Sequence, residues 1–338
     1  MRVGIVWNPS KIDEEELRNA LDEALEEVFG ADDLDGEAEA RDEADGTDDE
    51  SDDDRPEVRW FETSEDDPGQ GAASDALEYE CELVIAAGGD GTVRAVAERL
   101  GRSGSPAAEL GIVPLGTGNL LARNLGIPLG DPVTALVRAL GDGAEPIDLG
   151  MVRFEDADGN ERRIGFVVMV GFGIDAQMIA ETDDDLKEKA GWLAYVESLG
   201  RAISASDVVE FSLALDGGSA RTEQAHTLLV ANCGTLQGGI TLLPDASPDD
   251  GELDLLVLRA EDTGSWLDTM RNLVWDNGLK RLATGGGAAE SSRSTSFLRA
   301  RTARVELPEP RHFEVDGDGV GEVSWFEAQI LPAALLVR

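Results

Sequence analysis

Residues 1–145 are predicted to form a doubly wound α/β domain with a parallel sheet, and residues 146–326 a β-rich, sandwich-like domain. In the first part, short apolar segments alternate with segments whose apolar residues recur at helical spacing. Such alternation is typical of parallel sheets covered by helices on both faces. From Pro146 onward, strand-like segments dominate instead.

Each element of the first domain follows from a local pattern. An apolar segment at residues 2–7 predicts a strand that ends at the turn signal Asn8-Pro9. Leucines at helical spacing then predict a helix over residues 13–29. A buried strand at residues 83–87 runs directly into glycines. The remaining predictions are strands at 58–61 and 111–114 and helices at 72–77, 92–100 and 119–125.

The second domain is predicted from segments of alternating or continuous apolar character. Its strands are expected at residues 166–170, 211–215, 227–231, 253–258 and 303–307. Helical patterns interrupt them at residues 187–203 and 265–282. Residues 328–337 are predicted to form a last strand, which could join either domain on its pattern alone.

The charge of the chain is extreme, with 70 acidic against 28 basic residues and a formal net charge of −42. Residues 31–57 contribute −13 and lack apolar periodicity, which predicts a disordered acidic insertion. The remaining −29 belongs to the folded body and favours a surface adapted to high salt, where charge repulsion is screened. An ordinary acidic protein is the alternative. Nucleic acid is excluded as a partner, because phosphate contacts need clustered Lys and Arg.

Cys81 and Cys233 are isolated thiols, so neither a disulfide framework nor a zinc site is indicated. The first nine residues lack the pattern of a signal peptide. No apolar stretch approaches the roughly 20 residues that span a bilayer. The sequence therefore predicts a cytoplasmic protein, with any membrane contact peripheral at the inner face.

Two glycine-rich loops carry the chemistry. Gly88-Gly89-Asp90-Gly91-Thr92 joins a predicted strand to a predicted helix, a setting in which backbone N–H groups and the helix dipole suit a phosphate. The carboxylate of Asp90 would repel phosphate unless a cation mediates, which favours a metal–nucleotide ligand. Residues 114–119 repeat the arrangement one βα unit later, and the turn at Asn8 lies at the same sheet edge. Together these loops predict a nucleotide site.

The GGDGT loop and the segment PLGTGNLLARNLGIP at residues 114–128 resemble the diacylglycerol kinase catalytic family, which includes sphingosine kinases and many bacterial lipid kinases. Residues 166–177 and 187–195 are similar to the family's entry into its second domain. Asn232, Pro244, residues 249–251 and residues 316–318 are similar to its later motifs. The resemblance covers nearly the whole chain apart from the acidic insertion.

The resemblance implies an ATP-dependent kinase that phosphorylates a hydroxyl of diacylglycerol or a related glycerolipid, with ATP in the cleft between the two domains. It also implies that residues 327–338 return to the first domain, and it leaves a homodimer open. Asp318 would accept the hydroxyl proton, and a Mg²⁺ would be held by the side chain of Asp250 and the backbone carbonyls of Ser247 and Glu252. The residues expected to contact ATP are Asn8, Pro9, Ser10, Lys11, Ile12, Thr63, Gly88, Gly89, Asp90, Gly91, Thr92, Val93, Arg94, Ala95 and Thr117.

Three departures from the family pattern stand out. Arg94-Ala95 replaces an Asn-Glu pair, Asp318 replaces a glutamate, and Lys11-Ile12 replaces a small residue and a glycine. Arg94 would either supply positive charge near phosphate or be a residue of the helix surface, and the surface interpretation is favoured.

Two other functions are open. NAD kinases share the GGDGT loop but lack a counterpart of residues 114–128, and a nucleotide- or lipid-binding module without turnover is the non-enzymatic alternative. The glycines at 171 and 173 with Ala176 match a dinucleotide-binding fingerprint only weakly, because no acidic strand end follows in a βαβ unit.

Overall fold

The computed structural model describes residues 1–30, 55–173, 208–236, 241–259 and 295–338. Over these residues the chain forms an N-terminal α/β part and a C-terminal β-rich part, which confirms the predicted fold class. The predicted helices at 187–203 and 265–282, and most of the predicted acidic insertion, lie outside the described residues.

The N-terminal part is a parallel sheet with helices on both faces. Alternate residues of its strands face opposite sides, so that one core forms under α1 and α5 and another under α2 and α3. The strand order is β2-β1-β3-β4. The elements are β1 (Arg2–Trp7), α1 (Glu14–Phe29), β2 (Glu57–Glu62), α2 (Gln70–Glu78), β3 (Leu83–Gly88), α3 (Asp90–Gly101), β4 (Glu109–Pro114), α4 (Leu120–Asn124) and α5 (Pro132–Leu140).

The C-terminal part is antiparallel, and its last strand connects it to the parallel sheet. The described strands are β5 (Glu145–Glu155), β6 (Glu161–Phe166), β7 (Met169–Phe172), β8 (Val209–Leu215), β9 (Arg221–Ala225), β10 (Thr227–Ala231), β11 (Leu253–Leu258), β12 (Thr295–Ala300), β13 (Thr302–Val315) and β14 (Asp318–Val337). Strand β14 pairs antiparallel with β13 and β5. Its residues Leu336 and Val337 pair in parallel with β4, so that the two parts share one mixed sheet.

The predicted strand at 166–170 is wrong as a single element, because the chain bends at Val167 and Val168 between β6 and β7. The backbone N–H groups of Val167, Val168 and Met169 donate to the carboxylate of Asp316 instead of to a neighbouring strand. A side chain 147–149 residues away in the chain thus replaces the strand ladder at this point.

Other boundaries also differ from the prediction. Helix α3 begins at Asp90, two residues before the predicted start, so the second half of the GGDGT motif forms the first helical turn. The predicted strands at 303–307 and 328–337 extend over the whole of β13 and β14. Helix α5 and strand β5 were not predicted, although α5 carries the start signal Asp131-Pro132.

Candidate active site

Three loops meet at the carboxyl edge of the parallel sheet. The backbone N–H of Asn8, after β1, donates to Ala87 O of β3 at 2.9 Å, and Leu115 N, after β4, donates to Gly88 O at 2.8 Å. Thr63 follows β2 and is joined to β1 by a 2.9 Å bond from its N–H to Trp7 O. The structure therefore brings together the loops that the sequence placed at neighbouring strand ends.

The glycines of the first loop have different roles. A Cβ at Gly88 would lie 2.6 Å from Thr92 Cβ, so this glycine makes room for a buried threonine of the same loop. A Cβ at Gly116 of the second loop would lie 2.8 Å from Gly89 Cα, so the two loops pack backbone against backbone. Only at Gly91 would a Cβ meet nothing closer than Asp318 Oδ2, at 3.8 Å. Gly91 is therefore where the first loop leaves space for a ligand.

Asp90 binds the second loop. Its Oδ2 accepts the N–H of Asn119 at 2.8 Å, and its Oδ1 accepts the N–H of Leu120 at 2.6 Å, at the start of α4. Two backbone donors thus satisfy the carboxylate and cap α4 from another loop. These two bonds account for the carboxylate of Asp90 without the bound cation that the sequence favoured.

The loop after β1 is a hydrogen-bonded turn beside the first glycine loop. Asn8 Oδ1 accepts both the N–H and the hydroxyl of Ser10, and Asn8 Nδ2 donates to Thr92 Oγ1 at 3.4 Å. Lys11 is exposed, and its Cε lies 3.9 Å from the position of a Cβ on Gly89. This lysine therefore brings a positive charge to the first loop.

Three of the predicted nucleotide contacts have side chains in the hydrophobic core. Ile12 is buried beneath α1, and Val93 and Ala95 lie on the inner face of α3. The apolar side chains of these three residues are therefore part of the core and do not face the space beside the loops. Pro9 and Thr117 are exposed on the two flanking loops.

The N-terminus of α3 faces Asp318 across the junction of the two parts. The first N–H groups of a helix have no acceptor within the helix, and the dipole makes this end positive. Asp318 is 58% exposed, and its Oδ2 lies 2.8 Å from Nη2 of Arg94, which is only 13% exposed. The preferred interpretation of Arg94 as a surface residue is wrong, because the guanidinium is largely buried and pairs with the predicted base.

The hairpin that carries Asp318 is held in place by Asp316. The two-residue turn Asp316-Gly317 has positive φ at both positions, the conformation for which the sequence Asp-Gly is best suited. Asp316 is buried and accepts three backbone N–H bonds of 2.8–2.9 Å. Burial raises the pKa of Asp316 to about 6, while these N–H donors and the charge of Arg94 oppose the rise. Asp316 therefore acts in positioning the hairpin, and its oxygens are not available to a substrate.

Asp148 fixes the loop at residues 249–251, and sequence reasoning missed it. Its carboxylate accepts the N–H groups of Gly251 and Ala333, both at 2.7 Å. Burial raises the pKa of Asp148, as do the nearby charges of Asp250 and Asp249. The role of Asp148 could not be predicted from the sequence, because its partners lie about 100 and 185 residues further along the chain.

Two of the three predicted Mg²⁺ ligands, Asp250 and Glu252, lie beside an arginine. Carboxylate and carbonyl oxygens such as those of Asp250, Ser247 and Glu252 suit Mg²⁺ chemically. However, Asp250 pairs with the guanidinium of Arg299, which also lies 3.2 Å from Glu252 Oε2 and 3.1 Å from Asp254 Oδ1. The chain itself thus supplies a cation at this loop. The residues as they lie do not favour a metal at this loop.

Family comparisons agree with this architecture. Residues 35–152 match the model of the diacylglycerol kinase catalytic domain, and residues 168–338 match that of the YegS C-terminal NAD kinase beta sandwich-like domain. A protein of Pseudomonas aeruginosa (strain UCBPP-PA14) named "Probable lipid kinase YegS-like" is 34% identical over 258 residues, which cover 76% of each chain. One of the same name from Xanthomonas oryzae pv. oryzae (strain MAFF 311018) is 32% identical, covering 81% of this chain and 84% of that one.

A solved structure has the same fold. The crystal structure described as a diacylglycerol kinase from Bacillus anthracis str. Sterne superimposes with a TM-score of 0.63 at 18% identity, over 99% of this chain and 96% of that chain. In the part of the chain that the structure describes, no helix has the length and apolarity needed to cross a bilayer.

Proposed function

Because the chain belongs to the family of YegS-like lipid kinases with a diacylglycerol kinase catalytic domain, we propose that it transfers the γ-phosphate of ATP to a hydroxyl group of a lipid. Diacylglycerol or a related glycerolipid is the proposed acceptor. A lipid substrate requires contact with a membrane surface, so we also propose a peripheral location at the cytoplasmic face of the membrane.

One observation carries the proposal. A carboxylate from the C-terminal part, Asp318, lies beside the N-terminus of α3, where Gly91 leaves space for a ligand. A helix N-terminus suits phosphate, and a carboxylate at that point suits the proton of an attacking hydroxyl. The positive charge of Lys11 beside Gly89 supports the same assignment for the phosphates.

In the proposed reaction, the lipid hydroxyl oxygen attacks the γ-phosphorus of ATP, and the bond from that phosphorus to the β,γ-bridging oxygen breaks. ADP leaves with the bridging oxygen, and Asp318 accepts the hydroxyl proton. Mg²⁺ enters with ATP as part of the substrate and offsets the charge of its phosphates. The N–H groups at Gly89 and Gly91 and the side chain of Lys11 orient the nucleotide.

Transfer of ³²P from labelled ATP in molar KCl tests the proposal, with diacylglycerol, an ether-linked glycerolipid and NAD as separate acceptors. We expect labelled lipid product, and a loss of at least about 100-fold in kcat for Asp318→Asn, as for removal of a general base. Asp158→Asn, in an exposed turn, is the matched control. Labelling of NAD alone would favour the NAD kinase alternative, and the absence of any turnover would favour a binding module.

A further inference from the structure

Arg94 lies where the two parts of the chain meet. It occupies the second turn of α3, behind the helix N-terminus, and its side chain is 13% exposed. Its Nη2 donates to Asp318 Oδ2 at 2.8 Å, across 224 residues of sequence. Among the described residues, its buried Nε has no hydrogen-bond partner. The ion pair with Asp318 is therefore the contact that holds its guanidinium in place.

We propose that Arg94 is a positioning residue that holds the carboxylate of Asp318 at the N-terminus of α3, an inference that rests on the proposed function. Asp318 opens β14 directly after the two-residue turn and is more than half exposed. An exposed aspartate has several staggered rotamers open to it. A charge-assisted bond to a largely buried guanidinium selects the one that points at the helix N-terminus.

The ion pair is available at every physiological pH, because the guanidinium of Arg94 stays protonated throughout that range. Arg94 also acts on the second acid of the hairpin, since its charge lowers the pKa of the buried Asp316.

The contact joins two departures from the family pattern that are far apart in the sequence. Arg94 stands where the pattern has asparagine, and Asp318 stands where it has the longer glutamate. In the structure these two residues touch. The side chain of Arg94 extends from the helix toward the carboxylate of Asp318. Because arginine is longer than asparagine, it spans the distance that the shorter side chain of Asp318 leaves open.

A double-mutant cycle separates positioning from direct binding of phosphate. We compare the wild type, Arg94→Gln, Asp318→Asn and the double variant in the labelled-ATP assay, measuring kcat and the KM for ATP. The expected loss in kcat is at least about tenfold for Arg94→Gln in the wild-type background and less than about threefold in the Asp318→Asn background. The KM for ATP should stay within about threefold.

Arg94→Lys keeps the charge but loses the planar fork, and should recover part of the kcat that Arg94→Gln loses. Arg153→Gln is the matched control, because it breaks an ion pair of 3.0 Å with Glu327 away from the site and should leave kcat unchanged. Thermal unfolding of each variant shows whether it is folded.

Equal losses for Arg94→Gln in both backgrounds, or a large rise in the KM for ATP, would overturn the inference and assign Arg94 to the phosphates. In that case the proposed function would stand. If Asp318→Asn itself retains full activity, the base assignment in the proposed function fails instead. The two failures are therefore distinguishable.

Discussion

The substitution Gly91→Ala separates ligand binding from stability at the N-terminus of α3. Gly91 is the second residue of the helix and does not have a positive φ. An added Cβ would lie 3.8 Å from Asp318 Oδ2, which is an ordinary van der Waals contact. Because alanine restricts the unfolded chain more than glycine does, we expect about 0.4–1 kcal/mol of added stability. For a protein of this size the rise in Tm is about 1–3 °C.

The same methyl group would occupy the space through which a phosphate approaches the helix. Loss of one hydrogen bond to a charged group costs about 1.5–3 kcal/mol. Since about 1.4 kcal/mol corresponds to a factor of ten, the Kd for ATP should rise at least about tenfold. Titration calorimetry with a non-hydrolysable ATP analogue in molar KCl measures the Kd, and differential scanning calorimetry measures the Tm.

Gly116→Ala is the matched comparison. Its Cβ would lie 2.8 Å from Gly89 Cα and 2.9 Å from Asn119 Oδ1, so the two glycine loops would have to separate. Overpacking of this kind costs about 1–3 kcal/mol, and the Tm should fall. The two glycine variants thus move the Tm in opposite directions while both weaken ATP binding. Unchanged affinity in Gly91→Ala would refute the assignment of the phosphates to this helix end.

Three further predictions concern charge. The pKa of Asp316 is about 6 in the folded protein and about 3.9 in an unfolded chain. The folded protein therefore binds this proton more tightly, so protonation of Asp316 adds stability as the pH falls from 7 to 5. The same contribution is lost as the pH rises through 6. The Tm of the wild type relative to Asp316→Asn should therefore be higher at pH 5 than at pH 7, and the reverse order would contradict the burial argument. Mg²⁺ added after chelation should raise the Tm of the wild type by less than about 1 °C, because Arg299 already neutralises Asp250. The same addition should raise the Tm of Arg299→Gln by more, because Asp250 has no cationic partner in that variant. A large Mg²⁺-dependent rise in the wild type would support a resident metal. Deletion of residues 32–54 should leave turnover within about threefold, and both forms should lose activity when KCl is lowered, because most of the net charge lies outside this segment. Activity of the deleted form at 0.1 M salt would show that the insertion alone causes the salt requirement.

The sequence alone determined the order and type of most elements of the α/β part. The strands at Arg2–Trp7 and Leu83–Gly88 and the helix at Glu14–Phe29 were predicted within one or two residues. Their periodicity is local, since each segment must turn its own apolar residues toward a core. The meeting of the glycine loops was predictable as well, because the carboxyl ends of parallel strands lie at one edge.

Only the tertiary structure decided what the individual polar residues do. Asp90 caps a helix of another loop, Arg94 pairs with Asp318, Asp316 replaces a strand neighbour, and Arg299 occupies the loop predicted to hold a metal. Each role depends on a partner between 29 and 224 residues away, and no local pattern encodes such a distance. A carboxylate in the sequence indicates that a donor or a cation must be near it, because an unpaired buried charge is costly. Which donor or cation that is follows only from the packing of the two parts of the chain against each other.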